Sequence, residues 1–164
     1  GLLRPSTGRV SISGYDLYAQ EREAKRRLAF VPDVPRFYTE LTAWEHLQFV
    51  ALAHEAGEGF PERAEKLMRQ FGLWEARDMY PHHYSRGMRL KLGLLMALIR
   101  PFSALLLDEP TSALDSESTT LLLDLLHALR AHGVGILFST HNPDLAQGLA
   151  DRRLVMHSGQ VEAV

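Results

Sequence analysis

The run Ala104-Leu105-Leu106-Leu107-Asp108-Glu109-Pro110 constrains the fold of this chain more than any other stretch. Four apolar residues lead without a break into two adjacent carboxylates. A strand of a parallel sheet reads as such a continuous apolar run, because helices cover both of its faces. The C-terminal edge of that sheet is where open α/β proteins place ligands. Paired acids at the edge, followed by Pro, suit a site where one acid holds a divalent metal and the next handles a water.

The rest of the chain alternates around that strand. Residues 10–14, 28–31 and 135–139 read as further strands, the second stopped by Pro32 and both of the last two apolar enough to be buried. Residues 116–131 form a Leu-rich helix, and Asn142 with Pro143 opens another. Residues 153–157 and 160–163 pair as a hairpin turned at Ser158-Gly159. Strands alternating with helices after residue 104 argue for a parallel sheet. Residues 42–100 break the rhythm and read as purely helical. Thr42-Ala43-Trp44-Glu45 is a capping box that opens a helix to about residue 53, with Trp44, Leu47 and Val50 or Ala51 on one face. Pro61 starts a second helix, with Ala64, Leu67, Met68 and Phe71 inward and Gly72 as its stop. Residues 73–78 form a helical turn, and a long helix runs from 86 to 99 before Pro101. The expected organisation is one domain over 1–164 with a helical subdomain, 42–100, inserted in it. The charged residues 21–27 read as a solvated stretch.

Composition excludes several classes. A net charge of −2 gives no basic footprint for nucleic acid. With no cysteine there is neither a disulfide frame nor a thiolate metal site. No apolar run is long enough to span a bilayer, so a membrane role has to come through a partner. His82-His83 lacks a third ligand at zinc spacing.

Three segments carry the chemistry. Ser85 is a good N-cap, Gly87 permits close backbone approach, and the free amides and dipole of the following helix favour phosphate. Asp108 and Glu109 end the central strand. His141 follows the strand 135–139 in Ser139-Thr140-His141-Asn142, so its imidazole emerges at the same edge.

In this order, Tyr84-Ser85-Arg86-Gly87-Met88, the run from Ala104 to Asp115 and His141 closely resemble the signature sequence, Walker B strand with D-loop, and switch histidine of the ABC ATPases. The resemblance covers essentially the whole chain. It implies an α/β, P-loop NTPase-like, mostly parallel sheet with an inserted helical subdomain, and an ATPase using ATP and Mg²⁺. It implies that Asp108 holds Mg²⁺ through a water, that Glu109 orients or deprotonates the attacking water, and that His141 contacts the γ-phosphate or positions the water. Ser85, Arg86 and Gly87 would reach the γ-phosphate held by a second, head-to-tail ATPase subunit. The usual pattern has Gly where Arg86 stands and often Gln where Met88 stands. Asp33, in Phe30-Val31-Pro32-Asp33-Val34-Pro35, sits where the family's Q-loop glutamine is expected and would bind a Mg²⁺-ligated water. Asp115 would face the partner subunit, cap the next helix, or both.

The implied partners are a transmembrane permease and a second ATPase subunit, with no direct nucleic-acid contact and no insertion in the bilayer. The implied location is the cytoplasm, peripheral at the inner face of the cell membrane. Phe37 and Tyr38 lie either beside the groove that receives the permease's cytoplasmic helix or over the subdomain's own core. Asp33, Tyr84–Met88 and Thr42–Leu47 look most like subunits serving exporters. The alternative is an ABC ATPase without a permease, such as a translation-associated factor. No G-x-x-x-x-G-K-[ST] loop is present, and no Gly is followed by Lys. The opening run 1–10 resembles the family's segment just after the phosphate-loop helix. The expectation is therefore a C-terminal portion lacking one strand–loop–helix unit of roughly 30 residues or more, inactive by itself.

Overall fold

The computed structural model describes residues 1 and 3–163; Leu2, in the opening run, and Val164 lie outside them. The chain opens with a hairpin in which β1 (Ser11–Ile12) pairs antiparallel with β2 (Tyr15–Asp16). Ser13 and Gly14 between them have φ of 50° and 84°, the twist that a two-residue hairpin turn demands. The sequence predicts the first strand but not its partner. The charged stretch after this hairpin is a helix, α1 (Glu21–Arg26), and not merely a solvated segment. Glu21–Lys25 and Glu23–Arg27 pair one turn apart on its exposed side, and Ala24 is fully buried on the other.

β3 (Leu28–Val31), β4 (Ala104–Asp108) and β5 (Gly135–Ser139) build a parallel sheet in the order β3-β4-β5. The register sets Val31 beside Leu107 and Leu107 beside Phe138, so the three strands end together and Asp108 lies opposite Ser139. Helical crossovers make this pairing parallel. Between β3 and β4 run α2 (Ala43–Ala53), α3 (Phe60–Gln70), two 3₁₀ turns at Trp74–Ala76 and Pro81–His83, and α4 (Arg86–Leu98). α2 begins at the expected capping box, in which Thr42 Oγ1 accepts the Glu45 N–H at 3.2 Å and the Glu45 carboxylate accepts the Thr42 N–H at 2.8 Å. α5 (Ser116–Ala131) joins β4 to β5, and α6 (Pro143–Leu149) follows β5. Asn142 Oδ1 accepts the Leu145 N–H at 3.4 Å, as a cap for α6 should. β6 (Leu154–His157) and β7 (Gln160–Ala163) form the expected hairpin about Ser158 and Gly159.

The core gathers Leu47, Met68, Phe71, Leu90, Leu92 and Leu95 against Leu105, Leu122 and Leu126. Each such side chain contributes about 1.5–3 kcal/mol when fully buried. Helices cover the face of the sheet that carries Ala29, Val31, Leu105 and Leu107. The other face is open. The row Phe30–Leu106–Leu137 crosses it, with Phe30 55% and Leu137 61% exposed. β3 and β5, expected to be buried strands, are therefore half-covered. Apolar composition fixed their strand character, but burial depends on a second layer, and no described element shields this row. β5 also has no strand partner on its outer edge among the described residues. Among those residues, too, no helix is long and apolar enough to cross a membrane.

Candidate functional site

The parallel register delivers the chemistry to one edge. Asp108 is the last residue of β4, and its Oδ1 accepts a hydrogen bond from Ser139 Oγ, at the end of β5, at 2.6 Å. Glu109 follows with φ 47°, in the left-handed region that costs a non-glycine residue on the order of 1 kcal/mol or more. Its N–H donates to both the carbonyl and the hydroxyl of Ser139, each at 3.2 Å, and this holds the strained turn. The turn aims the Glu109 carboxylate at His141, whose Nδ1 donates to Oε2 at 2.9 Å. An ionised carboxylate can only accept, so Nδ1 carries the hydrogen of this bond. The side chain of His141 is 80% exposed and that of Glu109 26%, so a substrate can reach the imidazole while the carboxylate stays partly sheltered. Sequence reasoning missed Ser139; its position opposite Asp108 is legible only once the register is known.

The head of α4 meets the same edge. Ser85 Oγ accepts the Met88 N–H at 3.2 Å and caps the helix as expected. Arg86 turns back toward the loop after β3, where its Nη2 donates to Asp33 Oδ1 at 3.0 Å and Oδ2 at 3.3 Å. Ser112 Oγ donates to Asp33 Oδ1 at 2.6 Å and accepts from Arg86 Nη2 at 3.3 Å. The Ser112 hydroxyl first, and Arg86 second, hold the Asp33 carboxyl below the usual carboxylate range. Asp33, read as a ligand for a metal-bound water, thus has both oxygens engaged within the chain. Gly87 meets a constraint that sequence reasoning did not supply: a Cβ there would lie 2.6 Å from the carbonyl oxygen of Ala113. The close approach it permits is to the chain's own turn after β4.

Asp115 caps α5, its Oδ1 accepting the Ser118 N–H at 2.8 Å while Oδ2 takes Lys91 Nζ at 2.9 Å. These contacts, the Ser118 amide foremost, hold its carboxyl well below the usual range. Lys91, on α4, carries no sequence signal of its own, and its link to α5 ties the two helices that cover the sheet.

The donor set suits Mg²⁺. Among the described residues no group of three His, Cys, Asp or Glu side chains forms a metal cage. Mg²⁺ does not need one, since it keeps several waters and takes one or two carboxylates plus phosphate oxygens. Asp108, exposed at the open edge, offers a hard oxygen of that kind.

Comparisons with known proteins point to one family. The profile of the family described as ABC transporter matches residues 1–112. The chain is 37% identical over 134 residues to the uncharacterized ABC transporter ATP-binding protein YthP of Bacillus subtilis, covering 81% of this chain and 57% of that one. It is 34% identical to the methionine import ATP-binding protein MetN of Cupriavidus metallidurans, over 98% of this chain and 48% of that one. A solved structure described as the ATP binding subunit of an ABC transporter superposes with a TM-score of 0.93 at 32% identity, covering all of this chain and 70% of the other. The chain spans 57%, 66% and 53% of the length of three relatives from Bacillus subtilis that it matches.

Proposed function

This chain belongs to the ABC transporter family, and from that premise we propose that it is the catalytic half of an ATP-hydrolysing subunit that drives a membrane permease. The observation that carries the reading is the Glu109–His141 pair beside Asp108, assembled at the end of the parallel sheet. In the proposed reaction a water attacks the γ-phosphorus of ATP, the bond to the bridging oxygen breaks, and ADP leaves. Glu109 takes the water's proton, and His141 keeps the carboxylate aimed and presents its ring to the phosphate. Asp108 would hold Mg²⁺ through a coordinated water, and the ion would offset the triphosphate's charge.

The open sheet face supports a further part of the proposal. A parallel sheet is ordinarily covered on both faces. The unpaired edge of β5 and the apolar row Phe30–Leu106–Leu137 would take a strand–loop–helix unit carrying the phosphate loop. Residues 42–100 then act as the helical subdomain that presents Ser85, Arg86 and Gly87 to nucleotide bound on a second subunit. Asp115 lies at the edge of that contact. A groove of about 480 Å³, lined by Val34, Pro35, Phe37, Val50 and Met96 with Arg100 at its side, would receive a cytoplasmic helix of the permease. The protein would then sit at the inner face of the membrane through its partner.

The test is the release of ADP and phosphate from ATP by the protein bearing its phosphate loop, in Mg²⁺ and again with the metal chelated. Absence of turnover in Mg²⁺ would sink the proposal.

A further inference from the structure

Asp33 and Arg86 both depart from the family's usual pattern in this chain, and they bind each other. They come from segments far apart in sequence, the loop after β3 and the head of α4, and Ser112, from the turn after β4, closes the triangle. Among the described residues, the Arg86 guanidinium makes its hydrogen bonds through Nη2 alone, and its side chain is 57% exposed. Its Nε and Nη1 hydrogens remain able to donate. A guanidinium held at one nitrogen keeps its charge and its planar fork, while its freedom to swing away is reduced.

We propose that Asp33 is a positioning residue for Arg86: anchored by Ser112, its carboxylate fixes the guanidinium at the head of α4 so that the remaining donors meet phosphate of nucleotide held by the partner subunit. This rests on the ATP-sandwich reading above and adds a division of labour to it. The side chain at the Q-loop position then serves the signature helix of its own chain, and in doing so the opposite nucleotide site. Asp108 is left as the metal-site carboxylate. Ser112 matters because it gives Asp33 a second anchor, on the turn after β4: without it, the carboxylate can follow Arg86 instead of holding it.

The experiment uses the phosphate-loop-bearing protein with Glu109→Gln, in which turnover is blocked, and reads ATP-driven dimerisation by light scattering as ATP is titrated. Asp33→Ala should raise the ATP concentration at half-dimerisation about tenfold, the size of a hydrogen bond to a charged group. Arg86→Gln should do the same, and the double variant should be no worse than either single one. Ser112→Ala should shift it in the same direction by less, and covers the case in which Asp33→Ala fails to fold. Asp33→Glu should restore part of the loss. A purely structural role would lower the melting temperature without moving the titration midpoint. Additive losses, or an unchanged midpoint in a folded Asp33→Ala or Ser112→Ala protein, would overturn the proposal. If the Glu109→Gln protein does not dimerise with ATP at all, the ATP-sandwich reading fails first and this inference falls with it.

Discussion

Gly87 and Ala113 stand so close that a Cβ on Gly87 would lie 2.6 Å from the carbonyl oxygen of Ala113. Real Cβ atoms do not approach backbone so closely, and a carbonyl in a tight turn cannot step aside as a flexible side chain can. The head of α4 is thus seated against the turn after β4, which puts Arg86 and Ser112 within reach of Asp33.

Gly87→Ala tests that seating. An Ala within a helix ordinarily gains about 1 kcal/mol over Gly, whereas overpacking costs about 1–3 kcal/mol. The expected result is a net loss of stability in urea unfolding. A variant more stable than the wild type would mean that α4 does not rest on this turn.

Glu109→Gln removes the proton acceptor while keeping the size of the side chain. ATP binding should persist in the phosphate-loop-bearing protein, and turnover should fall at least ~10²-fold. His141→Ala should slow turnover on a similar scale, with little effect on melting, because its side chain is 80% exposed. Near-normal hydrolysis by Glu109→Gln would remove it from the catalytic role.

Ser85→Glu places a carboxylate where the partner's γ-phosphate would dock, and like charges in a closed interface are costly. The variant should bind ATP yet neither dimerise nor hydrolyse it. Mixed with a variant lacking the phosphate-loop lysine, it should regain part of the activity, since one composite site in the mixed dimer stays intact. No recovery on mixing would argue against a head-to-tail sandwich.

His46 makes the loop beside the proposed permease groove sensitive to acid. It is fully buried, with Nδ1 donating to the Thr42 carbonyl at 2.8 Å and Nε2 accepting the Tyr38 N–H at 2.9 Å. Burial lowers its pKa below the ordinary 6.5. Below that ordinary value the unfolded chain binds a proton that the folded chain resists, so stability should fall as pH drops through and below about 6.5. Urea unfolding at pH 7.5 and 5.5 should show the loss. His46→Gln, which does not titrate there, should show a smaller one; an equal pH dependence in both proteins would rule out His46 as the source.

Much of this fold is legible in the sequence. β4, β5 and α5 have the expected bounds, because an unbroken apolar run and a capped Leu-rich helix are strong local signals. Thr42, Ser85 and Asp115 all cap the helices that begin after them. β2 and α1 escape because a two-residue strand has no period to detect and a six-residue charged helix announces itself only through its ion pairs. The pairing of Glu109 with His141 is a consequence of adjacent parallel strands and can be anticipated. The Asp33–Arg86–Ser112 triangle cannot, because Arg86 and Ser112 lie 53 and 79 residues from Asp33 and nothing local specifies that they meet. Their departure from the family pattern is visible, but not that the two departures answer one another.

The half-covered sheet has a practical consequence for handling this chain. An unpaired strand edge is a ready template for another chain, and an uncovered apolar row beside it rewards the mistake. β5 offers the edge and Phe30 with Leu137 the row, so raising the concentration of the isolated 164-residue chain should drive it into edge-to-edge aggregates that light scattering would detect. A charged residue at Leu137 should delay that onset without disturbing the buried side of the sheet, and the same substitution should be harmful once a second layer is in place.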